Sequence, residues 1–142
     1  MNSLIHISEA ASLALHTMAY LAAEPGRKAS THEIARVMGA SEAHLAKVMQ
    51  RLGKAGLVVS QRGPGGGFTL AKTPEQVSLL EVYAAAEGQL GEVGCLLGQP
   101  VCGGHCIMGE LLGKLSQEIK DYFANTKLGD LTAEWGKVAS NA

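Results

Sequence analysis

Residues 41–70 read SEAHLAKVMQRLGKAGLVVSQRGPGGGFTL. Leu45, Val48, Met49 and Leu52 recur at three- and four-residue spacing, which predicts a helix capped by Ser41 with one apolar face turned inward. A glycine break follows. Two short runs, 57–61 and 68–70, then flank Gly63–Gly67, where glycines supply the positive φ that other residues resist, and this predicts a hairpin. A helix that leads into a two-stranded ribbon with a basic tip has the layout of a winged helix-turn-helix, in which the helix enters the DNA major groove.

The flanking sequence supports that layout. Ser30 followed by Glu33 fits a capping box, so a short helix is expected from Thr31 to Met38, with Gly39-Ala40 as the turn before the reading helix. Upstream, Ile7, Ala11, Leu15, Met18 and Ala22 mark a helix over about 8–23 that ends before Pro25-Gly26. Downstream, Thr73-Pro74 closes the unit, Ser78 caps a fourth helix through about Ala86, and Gly88 stops it. A glycine- and cysteine-rich loop runs from Gly91 to His105. A last long helix over about 106–125 carries Met108, Leu111, Leu112, Leu115, Ile119, Tyr122 and Phe123 as a stripe. With little in its own domain to cover that stripe, the expected partner is a second copy of the chain. The tail is expected to be irregular apart from a weak helix at 131–138. The expected fold is therefore mainly α, with a winged helix-turn-helix domain at 1–74, a connecting helix and cysteine loop at 75–105, and a dimerisation helix with its tail at 106–142.

Composition narrows the function classes. With 142 residues, 46% hydrophobic and 4% aromatic, the chain has room for one compact domain and an appendage, with an aliphatic core. The formal net charge of −1 conceals an asymmetry: residues 1–72 hold eight Lys/Arg against four Asp/Glu, giving +4, while residues 73–142 hold four against nine, giving −5. The basic excess lies with the helix and the ribbon. No run reaches the length of a membrane span and the N-terminus lacks a basic signal-peptide region, so a cytoplasmic protein is expected. No C-x-x-C pair, P-loop lysine or paired carboxylates point to catalysis, so an enzyme is not expected.

Two groups of residues carry the candidate chemistry. On the outward face of the reading helix, Ser41, Ala43, His44 and Lys47 are placed for base contact or close approach, with Ala46 leaving space or touching a thymine methyl. Arg51, Lys54, Lys28, Thr31 and His32 suit phosphate, and Arg62 with Gly63 at the wing tip suits the minor groove or a phosphate. An ordinary solvated face on a protein-docking winged helix is the plainer alternative. The second group is Cys95, Cys102 and Cys106, spaced C-x6-C-x3-C on a loop with Gly94, Gly98, Gly103 and Gly104. An odd cysteine count argues against a disulfide framework. Three thiolates on such a loop can converge on one metal or cluster, or can be inert thiols. His105 and His16, with Glu9 as an oxygen donor, are the candidates for a fourth position.

The segments STHEIARVMGASEAHLAKVMQRLGKAGLV and RGPGGGFTLAKTPEQVSLLEVYAAAEG, followed by a three-cysteine loop before a long helix, resemble the iron-sulfur cluster regulator family of bacterial winged-helix transcription factors. Its relatives include nitric-oxide-sensing and cysteine-metabolism repressors, and the resemblance covers about 4–125. It implies a homodimer joined by the long helix, a palindromic promoter duplex as partner, and a two-iron or four-iron cluster that switches affinity. It further implies Cys95, Cys102 and Cys106 as cluster ligands, 41–47 as the base-reading start of the helix, and 62–67 as the wing. This chain departs from the family pattern in two respects: its cysteine spacing is six and three rather than five and five, and no histidine follows the third cysteine. Some relatives draw a ligand from the first helix of the opposite subunit, where Ser12 and His16 lie here, and of these two His16 is the better ligand. A winged-helix regulator that uses the cysteines as a direct thiol or zinc sensor is the alternative reading.

Overall fold

The computed structural model describes residues 5–141. Its first helix, α1 (Glu9–Ala23), starts at Ser8, whose Oγ accepts the Ala11 N–H. Sequence spacing gives α1 one apolar stripe, but the helix is buried nearly all round: Ala11, Ala14, Thr17, Met18 and Ala22 have no exposed surface. The reason is position, because five helices and strands, besides the 3-10 turn at Leu128–Leu131, lie against it. These are α2 (Thr31–Met38), α3 (Glu42–Lys54), α4 (Leu79–Glu87), α6 (Thr132–Ser140) and β2 (Gly67–Leu70). A helix surrounded by neighbours has no face left to be polar.

The helix-turn-helix follows the sequence closely. Ser30 caps α2 and Ser41 caps α3, and between them Gly39 adopts a left-handed conformation, φ 64°, to turn the chain. Leu45, Val48, Met49 and Leu52 all face the core, as the periodicity requires. The capping box at Ser30 is only half formed. The Ser30 Oγ accepts the Glu33 N–H at 3.1 Å, but the Glu33 carboxylate does not return to the Ser30 backbone. It accepts instead from the Tyr20 hydroxyl at 2.7 Å and from Arg27 at 2.6 Å, and the Arg27 guanidinium lies 6.0 Å from the Tyr20 ring centre. Burial, with the Glu33 carboxylate alongside, holds the Tyr20 hydroxyl above its usual range, so it remains a donor. This cluster ties the end of α1 to the start of α2.

The wing consists of β1 (Val58–Gln61) and β2, antiparallel with Val58 opposite Leu70 and Gln61 opposite Gly67. A third backbone segment joins it. Ala29, in the lead-in to α2, donates to the Phe68 carbonyl at 3.1 Å and accepts from the Phe68 N–H at 2.8 Å. The wing root is thereby bonded to the start of the helix-turn-helix.

Two sequence expectations beyond the wing change in the structure. The last long helix, α5, begins at Leu111 rather than at Cys106 and runs to Asn125, because Gly109 turns left-handed at φ 57° and interrupts the chain just before it. The helix expected at 131–138 is α6, and the rest of the tail is more ordered than expected: a 3-10 turn at Leu128–Leu131 leads into α6, which packs on α1. Leu128 is fully buried, and Leu79 and Leu128 exchange backbone hydrogen bonds with Thr126 and Val77 across the junction. The α5 stripe is also partly covered within its own chain. Phe123 is buried against Tyr83 of α4, with ring centres 5.9 Å apart, while Leu111, Leu115 and Tyr122 remain exposed.

Gly67 is where the wing meets the start of α2. A methyl group there would lie 2.7 Å from the Ala29 carbonyl oxygen, which is backbone and cannot rotate away. Gly67→Ala is therefore expected to push the wing root off Ala29 and to cost about 1–3 kcal/mol of stability, the range of an overpacked site. Urea denaturation followed by circular dichroism measures this, and a midpoint equal to wild type would contradict the tight junction.

Candidate nucleic-acid interface and cysteine loop

The outward face of α3 is built by its inward one. Four core anchors fix the rotation of the helix, which leaves Ser41, Glu42, Ala43, Ala46, Lys47 and Gln50 exposed. Ser41 is spent locally, its Oγ accepting the His44 N–H at 3.1 Å. His44 is half-buried, and its Nδ1 lies 3.5 Å from the Glu9 carboxylate of α1. This pair ties the reading helix to α1. His32 on α2 lies with Nδ1 2.6 Å from the Glu42 carboxylate, bridging α2 and α3 in front of the turn. Sequence reasoning named both histidines but neither pairing, because the pairs span helices and leave no local spacing.

The cations divide into two groups. Lys28, Lys47 and Arg62 are exposed, Lys28 beside the backbone bridge at Ala29 and Arg62 with Gly63 at the wing tip. Thr31 is half-buried at the first position of α2. Arg51, placed by sequence on phosphate, donates through one arm of its guanidinium to the Ala86 carbonyl at 2.7 Å, joining α3 to the end of α4. A cation on the last carbonyls of a helix also complements its dipole. Between α3 and the wing runs a groove of about 390 Å³, lined by Thr31, Gln50, Ser60, Arg62 and Phe68 among others. No acidic side chain lines it; Arg62, Gln50 and the hydroxyls of Thr31 and Ser60 stand among apolar side chains of α3 and the wing.

The cysteine loop is fixed at its root and open at its tip. The Val93 N–H donates to Ser116 Oγ at 2.8 Å and Lys120 pairs with Glu92 at 3.1 Å, both tying the start of the loop to α5. Beyond that point, each cysteine heads a tight turn. The carbonyls of Cys95, Cys102 and Cys106 accept the N–H groups of Gly98, His105 and Gly109 at 3.0, 3.0 and 2.9 Å. Gly98, Gly103 and Gly109 adopt positive φ in these turns, which side chains resist. Cys95 and Cys106 are exposed and Cys102 is half-buried. Among the described residues no three His, Cys, Asp or Glu side chains converge to hold a metal ion, so the three thiols stand apart on their separate turns. The donor set itself, three soft thiols on glycine-relieved turns, suits a cluster or a thiophilic metal. His105 is exposed within the second turn.

His16 is not part of that loop. It lies on a groove of about 640 Å³ between α1, the helix-turn-helix and α6, lined by Glu9, Ser12, Met38, Trp135 and neighbours, with no cysteine of the same chain in the lining. Its Nδ1 is 2.6 Å from the Ser12 carbonyl, and its ring packs edge-on against Trp135 at 5.5 Å. A carbonyl only accepts, so Nδ1 donates in this bond, and Nε2 is the ring nitrogen not engaged by it. Among the described residues, no helix is long and apolar enough to cross a membrane.

Comparison with known proteins agrees with this geometry. Residues 7–134 match the family model Rrf2, described as an iron-dependent transcriptional regulator. The chain is 34% identical over 128 residues to an HTH-type transcriptional regulator of Aquifex aeolicus, covering 87% of this chain and 89% of that one. It is 36% identical over 106 residues to the HTH-type transcriptional regulator NsrR of Bacillus subtilis, covering 69% and 73% respectively. Among solved structures, CymR, the global cysteine regulator of Bacillus subtilis, superposes with a TM-score of 0.77 at 26% identity, covering 92% of this chain and 98% of that one. The chain belongs to the Rrf2 family of winged helix-turn-helix, DNA-binding transcriptional regulators.

Proposed function

We propose that this regulator is a homodimeric repressor whose promoter affinity is switched by an iron-sulfur cluster on Cys95, Cys102 and Cys106. The observation that carries the reading is the cysteine loop itself: two exposed thiols and one half-buried, each at the head of its own tight turn, on a segment bonded to α5 at its root. The iron dependence ascribed to the family supports it. When bound, such a cluster supplies a cross-link between the three turns that oxidation, nitric oxide or iron loss can break. The chain's part is to present thiolates, to let the glycine turns close, and to hold the root on α5.

The fourth ligand in this reading is His16 of a second copy. Nδ1 is engaged by the Ser12 carbonyl, which leaves Nε2 for a ligand bond and orients the ring as the partners of metal-bound histidines do, and no cysteine of its own chain lines its groove. The loop exposes Leu96, Leu97, Val101 and Ile107, which suits the apolar side of that groove on a second copy. The exposed Leu111, Leu115 and Tyr122 of α5 offer the dimer contact. On the duplex, Ser41, Ala43, His44 and Lys47 read bases, and Lys28, Thr31, Arg62 and Gly63 grip the backbone. One arm of Arg51 remains for phosphate beside its bond to Ala86. A cysteine-based sensor without a cluster is the second reading, favoured by the likeness to the global cysteine regulator CymR.

Protein purified without oxygen is expected to contain iron and inorganic sulfide, with charge-transfer bands in its absorption spectrum. Zinc, or no metal at all, would favour the second reading. Serine at any one of Cys95, Cys102 and Cys106 is expected to change promoter affinity by about 5- to 150-fold, the usual range of coupling between sites, with no loss of fold. Equal DNA binding by wild type and all three variants would defeat the switch. His16→Ala is expected to alter the cluster spectrum, and an unchanged spectrum removes His16 as a ligand. Arg62→Ala is expected to weaken binding to every duplex alike and to flatten the slope of log affinity against log salt by about 0.9.

A further inference from the structure

We propose that Glu42 is a specificity-determining residue that reads cytosine, and that His32 positions it. The inference rests on the assignment of α3 to the major groove and adds a reader of negative charge to a face otherwise made of neutral and basic groups. Glu42 is the first residue of α3, the end that reaches deepest toward base edges in this motif. Its side chain is 57% exposed, so it faces outward rather than into the core.

A carboxylate at a DNA face needs a reason, since the phosphates repel it. Its position at the helix N-terminus is one, because acidic side chains there complement the dipole. That role needs no partner on another helix. The orphan N–H at His44 is already satisfied by Ser41 Oγ, and the contact that Glu42 makes is with His32 of α2, at 2.6 Å. The imidazole is the donor and the carboxylate the acceptor, so the pair holds the carboxylate in one orientation before DNA arrives.

Base-edge chemistry then selects the partner. A carboxylate only accepts hydrogen bonds. In the major groove cytosine offers the N4 amino donor, guanine offers two acceptors, thymine an acceptor and a methyl group, and adenine one donor beside one acceptor. Glu42 is thus matched to cytosine and opposed by guanine and thymine, which yields specificity by rejection as well as by attraction. His32 restricts the carboxylate, so the rejection is not relieved by rotation.

The test is selection from a randomised duplex pool by the full chain, wild type against Glu42→Gln and His32→Gln. Wild type is expected to enrich cytosine at one position of each half-site, by roughly tenfold over guanine or thymine, as for a single mismatched base pair. Glu42→Gln, whose amide both donates and accepts, is expected to move that preference to adenine. His32→Gln is expected to keep cytosine with weaker discrimination. Thermal unfolding of the variants matching wild type excludes a general loss of structure. Identical base preferences in wild type and Glu42→Gln overturn this inference alone. Failure of wild type to enrich any duplex overturns the DNA-reading assignment and the inference together.

Discussion

The structure depends on the burial of α1 on almost every side. Its small residues, Ala11, Ala14 and Ala22 among them, let α2, α3, α4 and α6 approach closely, and Met18 fills the space that remains. Interiors at crystal-like density transmit displacement rather than absorb it. The reading helix, the helix before the cysteine loop and the C-terminal helix therefore share one rigid support. Their relative positions are set by that support and not by the loops between them.

Charge is placed on this support with equal economy. The excess of basic residues in 1–72 does not all face one way. Arg27 is taken up by Glu33 and Glu24, and one arm of Arg51 by the Ala86 carbonyl. Lys28, Lys47, Lys54 and Arg62 stay exposed, together with two histidine–carboxylate pairs.

The helix-turn-helix was legible in the sequence because its signals are local. Ser30 and Ser41 as caps, Gly39 as the left-handed stop and the Leu45–Leu52 periodicity each act within a few residues, and the observed α2 has the expected bounds. What escaped is what depends on partners distant in sequence. The Glu33 carboxylate was drawn away from its capping box by Tyr20, thirteen residues earlier, and by Arg27. The bond between Ala29 and Phe68 has no periodic signature, and α1 hides its stripe by being buried all round. The tail's helix was legible, but its packing on α1 was not, because its anchors Leu128, Leu131, Trp135 and Ala139 are sparse and their partner is distant in sequence. For the site, residue types were legible and pairings were not. The cysteines were identified by spacing, but their separate turns emerge only from backbone geometry.

Those pairings bear on how a change in the cysteine loop can reach DNA in the proposed switch. The loop root is bonded to α5 through Val93 and Ser116. Helix α5 packs on α4 through Phe123 and Tyr83, and the end of α4 holds Arg51 of α3 through the Ala86 carbonyl. These hydrogen-bonded and packed contacts form a continuous chain from the loop root to α3, the route the proposed switch would use. A second route starts at His16, one turn of α1 beyond Ser12, in a groove whose wall includes Glu9, and Glu9 holds His44 at the start of the reading helix. The two routes approach α3 from opposite ends, Arg51 near its C-terminus and His44 near its N-terminus.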